Sequence, residues 1–226
     1  MKLSLLSKGA AIGAAVILQT AILSSVAMAA DETLPYSSRA AQDELGAQGY
    51  LRRETVSIKP QVGMLAFQNF AGENVTRAAA GLSVDANLTN MIISQPTNLY
   101  IGPSTGAIFS HLGSPTSNFF GSNPNPGRDD TDQANMLILP ANLKVGYTFG
   151  DMFRVSAHGG GNLLYRSVAS AIPTSSGSDW TIYPNVGGDV EVGLTPNLAL
   201  TLRPDVTLTP ANDVFSGMLA LGFTIG

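Results

Sequence analysis

The sequence predicts an all-β protein, an eight-stranded antiparallel up-and-down transmembrane β-barrel over residues 56–226. Three observations carry that prediction. Apolar and polar residues alternate with period two, segment after segment, from Ile58 onward. The connections between segments switch between tight turns and longer polar loops, the layout of a barrel with its short turns on one side of a membrane. The only long apolar run lies at the N-terminus and reads as an export signal, so any membrane crossing falls to strands.

The export signal is residues 1–29. Lys2 and Lys8 precede a weakly hydrophobic run over 9–26, and Ala27, Met28 and Ala29 supply small residues at the cleavage spacing, with the cut expected after Ala29 or Ala30. An uncleaved anchor is the alternative, and the Ala/Gly-rich run and small-residue site speak against it. The chain has no cysteine, 24 glycines and a net charge of −4. Losing the two leader lysines makes it more acidic, so nothing in the charge balance favours nucleic acid or an anionic membrane surface, and no nucleic-acid partner is expected. Residues 30–55 are charged and turn-poor, with a short helix expected over 37–46 after a Ser cap. They read as a solvated periplasmic N-terminal arm; a plug or docking peptide is the other possibility.

The strands follow in order. The first, near 56–68, sets Ile58, Val62, Met64 and Ala66 against Lys59, Gln61 and Gly63. After a loop at 69–75, the second alternates Ala78, Ala80, Leu82, Val84, Ala86 and Leu88 with Arg77, Gly81, Ser83, Asp85 and Asn87. A turn at 92–98 leads to the third, with Leu99, Ile101, Ala107 and Phe109 opposed to Tyr100, Ser104 and Ser110. The long Ser/Asn/Gly/Pro-rich stretch 113–133 precedes the fourth, where Leu137, Leu139, Ala141, Leu143, Val145 and Tyr147 alternate with Asn142, Lys144 and Thr148. Beyond a turn at 149–151, the fifth sets Phe153, Val155, Ala157, Leu163 and Tyr165 against Arg154, Ser156, His158, Asn162 and Arg166. A Ser/Gly-rich loop over 168–179 leads to a hairpin, and 209–214 turns into the last strand, with Leu219, Leu221, Phe223 and Ile225 on its apolar side.

The hairpin over 181–209 has the strictest pattern. Ile182, Val186, Val190, Val192 and Leu194 lie on one face of its first strand, with Asn185, Asp189 and Glu191 on the other. Leu198, Leu200, Leu202, Val206 and Leu208 continue the apolar face, against Thr201, Arg203, Asp205 and Thr207. Keeping both polar faces together requires partners of equal parity. A three-residue turn, Thr195-Pro196-Asn197, meets that by pairing Leu194 with Leu198, which sets Asp189 opposite Arg203 and Glu191 one diagonal away.

Alternation alone suits a soluble sandwich as well as a membrane barrel. The unbroken apolar face favours the barrel, since each strand reaches the ~9–11 residues a tilted crossing needs. So do aromatic residues near strand ends, which form two interface girdles: Tyr147, Phe149 and Phe153 on one side, Phe109, Tyr165 and Trp180 on the other. The polar face mixes both signs of charge with Gly and Ser, and the chain ends on its last strand. On these residues, above all the 186–209 hairpin and final strand, the chain resembles the small eight-stranded outer-membrane β-barrel proteins, the OmpA/OmpX-like class. That resemblance implies a Gram-negative cell envelope, outer-membrane lipid around the wall and the barrel-assembly machinery as a partner in biogenesis. Members usually end in an aromatic residue; here Phe223, Thr224 and Ile225 lead to Gly226.

Such a barrel is just wide enough for side chains to fill it. The inward charges are Lys59, Arg77, Asp85, Lys144, Arg154, Arg166, Asp189, Glu191, Arg203 and Asp205, six basic and four acidic. They read as a salt-bridged plug, which makes the protein a structural barrel whose surface loops serve contact or recognition; a narrow porin-like path for ions or small solutes is the alternative. Ser156, His158 and Asp189 share the lumen face, and the resemblance brings to mind lipid-modifying barrel enzymes. A mid-height, inward set does not reach lipid, so no catalytic residue is expected. His111 reads as a rim histidine. Asp129, Asp130 and Asp132 lack cation-loop spacing, so no metal or cofactor is expected. Phe119 and Phe120 in the same loop either pack on the rim or contact a surface ligand.

Overall fold

The computed structural model describes residues 50–68, 74–93, 97–113, 118–122, 133–150, 152–169, 177–195, 197–210 and 212–225. The predicted export signal, residues 30–49 of the predicted arm with its expected helix, and the Asp129–Asp132 acidic run lie outside them. Eight strands close into one barrel in sequence order, β1 pairing with β8, and every pairing is antiparallel. They are β1 (Val56–Gln68), β2 (Asn74–Ala86), β3 (Leu99–Gly113), β4 (Gln133–Phe149), β5 (Phe153–Ala169), β6 (Gly177–Thr195), β7 (Leu198–Thr207) and β8 (Val214–Ile225). Two short helices, α1 (Tyr50–Arg53) and α2 (Leu88–Ile93), sit at the end where the tight turns lie.

The wall is inside-out relative to a water-soluble domain. Val62, Leu82, Leu143, Val145, Leu202 and Leu219 are exposed, while Lys59, Asp85, Lys144, Arg154, Asp189 and Glu191 are buried. That is the polarity of a transmembrane barrel, in which apolar side chains face lipid and backbone N–H and C=O groups are satisfied between neighbouring strands.

The structure departs from the sequence expectations in four places. The hairpin register is as derived, with Gly187↔Asp205 and Val190↔Leu202 bracketing Asp189 and Arg203. The turn is not: Thr195 pairs with Leu198, and a register shift between Gly193 and Thr195 restores parity. A bulge meets the same constraint as a longer turn, because it adds one residue on one strand. Second, Leu88 belongs to α2 rather than β2, and the helix occupies much of what reads as a simple turn. Third, β4, β5 and β6 are 17, 17 and 19 residues long, well beyond a membrane crossing, and they shorten the loops on either side. Fourth, the inner face is not polar throughout: beside buried Arg77, Ser110, Asn162 and Thr207, its loop-end half holds an apolar cluster. That cluster is Leu65, Ala79, Ile108, Met136, Ile138, Leu164, Val214 and Met218.

Candidate functional site: the ion-paired lumen

Eight charges meet in the turn-end half of the lumen, four acids (Glu54, Asp85, Asp189, Glu191) and four bases (Lys59, Lys144, Arg154, Arg203). Lys59 Nζ lies 2.8 Å from both Asp85 Oδ2 and Glu191 Oε1, and 3.7 Å from Glu54. Lys144 Nζ lies 2.8 Å from Asp189 and 3.1 Å from Asp85, and also binds Glu191. Arg203 spans Asp189 at 2.6 Å and Asp85 at 3.1 Å. Arg154 joins Glu54 to Glu191, 3.1 Å from the latter, and donates to the Leu51 carbonyl. Seven of the eight come from alternating strand positions that the pleat directs inward; Glu54 comes from the chain just before β1.

Neutral groups complete the cluster. Ser104 Oγ donates to Asp85 at 2.6 Å, Arg154 Nε donates to Thr148 Oγ1 at 3.1 Å, and Ser57 Oγ donates to Glu54. The buried Tyr100 ring lies 5.0 Å from Lys144 Nζ and 4.6 Å from Arg154 Cζ, an apolar floor that also attracts cations. Asp85, Asp189 and Glu191 are close enough to surround a cation. Lys59, Lys144 and Arg203 already take those oxygens, so the site is an internal salt rather than a metal centre.

The other charges predicted for the lumen go elsewhere. Asp205 is buried higher up, beside His158 Nε2 at 2.9 Å and accepting from Asn185 Nδ2 at 2.8 Å; His158 Nδ1, 3.8 Å from Asp189, links it to the ion cluster. Arg77 donates to the carbonyls of Leu112 and Thr76. Arg166 is exposed: it lies opposite Asp179 where the β5–β6 ribbon rises past the barrel wall, so inward parity no longer means burial. Ser156 Oγ is buried without a partner and His158 is committed to Asp205, so the nucleophile–base bond of a Ser/His pair is not made.

Glu54 was missed by reading 30–55 as a solvated arm. Leu51 and Glu54 are fully buried, Leu51 against Ala199, and α1 sits in the turn-end mouth. One signal was available: six basic and four acidic inward residues are out of balance, and buried charges require partners.

Of the residues predicted for the girdles, Tyr147 meets Phe149 edge-on at 5.0 Å, Phe149 meets Phe153 at 6.2 Å, and Tyr165 meets Trp180 at 4.6 Å. Phe109 stands exposed on β3, as do Phe223 and Phe215 at the two ends of β8. Phe119 and Phe120 form an edge-to-face pair at 5.2 Å.

A closed up-and-down barrel with an apolar outer wall and a charge-balanced interior is a small transmembrane β-barrel. Comparison with solved structures gives the same fold. The chain is similar to Ail, the attachment invasion locus protein of Yersinia pestis, solved with the heparin analogue sucrose octasulfate, at TM-score 0.55 and 10% identity over 75% of this chain and 97% of that one. It is similar to Neisserial surface protein A at TM-score 0.53 and 9% identity, over 75% and 97% of the two chains. No protein-family model matches the chain, and no curated protein sequence is similar to it.

Proposed function

We propose that the protein is a structural outer-membrane barrel of a Gram-negative cell envelope, with a sealed lumen, and that its loops at the far end from the tight turns carry contact or recognition outside the cell. The observation that carries this reading is the double seal. A neutral eight-charge cluster fills the turn-end half of the lumen and an apolar cluster sits in the loop-end half. An ion entering the first would have to break buried pairs, and in the second it would have to pass an apolar cluster that cannot replace its hydration. A sealed lumen moves function to the outside.

The solved Yersinia structure holds a polyanion. Here the longest loop, 113–133, carries Asp129, Asp130 and Asp132 against Arg128, which favours a neutral or basic surface ligand over a sulfated one. Export through a cleaved leader and passage through the barrel-assembly machinery belong to the same proposal. The absence of cysteine gives a direct test. An Asn125→Cys variant should react with a membrane-impermeant maleimide on intact cells. Reaction only after lysis would reverse the topology, and recovery of the unboiled protein with no heat-dependent shift on an SDS gel would remove the membrane barrel altogether.

A further inference from the structure

Among the described residues, α2 carries an apolar side that nothing covers. Ile92 is 79% exposed, Met91 53%, Ile93 52% and Leu88 39%. Its other side is polar and engaged: Asn90 Nδ2 donates to the carbonyls of Arg52 at 2.7 Å and Glu54 at 2.9 Å, and Asn90 Oδ1 accepts from Thr97 N at 3.2 Å. Asn87 Oδ1 caps the helix, accepting from Thr89 N at 3.1 Å. The helix is therefore fixed with its apolar side outward, and is not a frayed turn.

Its place in the wall decides which partner fits. Continuing the β2–β3 register past Asp85↔Ser104 would bring Leu88 opposite Ile101. The chain turns into α2 there instead, and Thr89 Oγ1 accepts the Ile101 N–H at 3.2 Å. Gly102 makes the junction possible, since a Cβ there would lie 1.7 Å from the Ala86 carbonyl oxygen. The helix thus stands in the line of the wall, beside the exposed Leu99 and Ile101 of β3, so exposed apolar residues of helix and strand adjoin. It bears no acidic or basic residue, and four side chains fall far short of the ~800 Å² per partner of a stable protein interface.

We infer that α2 is an interfacial foot of the barrel: Leu88, Met91, Ile92 and Ile93 lie among the phospholipid acyl chains of the periplasmic leaflet, while Asn87 and Asn90 hold the helix to the barrel mouth. This rests on the outer-membrane reading and adds to it a second kind of lipid contact, made by a helix lying in the interface.

Trp180 is the only tryptophan, so a Trp180→Phe background is free of indole. Ile92→Trp and, as a mid-wall reference, Leu202→Trp are introduced separately and refolded into phosphatidylcholine vesicles with acyl chains brominated both near the headgroup and at mid-chain. Both tryptophans should lose half or more of their emission to the brominated lipid and be unaffected by iodide. A quenched Leu202→Trp beside an Ile92→Trp quenched by iodide would end the inference and leave the barrel in its membrane. An Ile92→Trp that neither agent reaches would also end it, since protein would then cover the helix. If Leu202→Trp escapes the brominated lipid, the membrane reading itself falls.

Discussion

Asp85 contacts three cations, Lys59, Lys144 and Arg203, and accepts from Ser104 as well, so the ion cluster turns on it. Removing one partner of a buried pair leaves charge uncompensated. Asp85→Asn should lower stability by about 3–5 kcal/mol, read from urea unfolding in micelles. Glu54→Gln leaves Arg154 with Glu191 and should cost less, about 1–3 kcal/mol. Because the cluster is buried, its contribution should barely change between low and molar salt, and a steep salt dependence would place these charges at a solvated surface. Gly187 is a third test at this scale. A Cβ there would lie 2.5 Å from His158 Nε2, so only glycine lets the imidazole cross β6 to Asp205. Gly187→Ala should cost about 1–3 kcal/mol through that clash. The sequence revealed Asp85, Asp189, Glu191 and Arg203 because strand parity fixes where such residues point. It hid Glu54, which no parity governs and whose partner Arg154 is 100 positions away.

At the scale of elements, the strands were legible because period two is a strong signal over ten or more residues. What was hidden has separate physical causes. Six residues, Leu-Thr-Asn-Met-Ile-Ile, are too few to show helical period, so α2 passed for a strand end and a turn. The inner apolar residues Ile108, Met136 and Met218 also follow period two, on the face that was read as polar. The β2–β3 seam was equally invisible. Among the described residues, ladder pairing there runs from Asp85↔Ser104 only as far as Ala80↔Phe109. Toward the loop end other bonds bridge the strands: Arg77 Nε to the Leu112 carbonyl at 2.7 Å, Ser110 Oγ to the Ala78 carbonyl at 2.8 Å, and Ala78 N to the Phe119 carbonyl at 2.9 Å. This seam should open before the rest of the wall. Hydrogen exchange should be fastest over residues 74–79, slowest along the β4–β5 ladder, and faster still at the seam in Arg77→Met.

For the whole molecule, closure operates at two levels. The turn end is bound together by contacts from each connection to a neighbouring strand: Thr55 to Asn87, Asn98 to Thr148, Met152 to Gly193 and Asn197 to Thr224. Within that ring, α1, the ion cluster and the apolar cluster fill the bore in succession. The sequence showed that the lumen was charged, and an eight-stranded wall implied that it was narrow. It did not show a second, apolar cluster above the ion cluster, which on the proposed sealed-lumen reading makes the seal independent of any single ion pair. Arg203→Ala should consequently loosen the ion cluster without opening a path, because Leu65, Ile138, Leu164 and Met218 still close the bore above it.

The most direct test of a sealed lumen is the single-channel conductance of the refolded protein in a planar bilayer. The double seal predicts a silent baseline for the native protein and for Arg203→Ala alike. Discrete, salt-dependent openings in the native protein would contradict it and would turn the same eight charges into the lining of a gated pore.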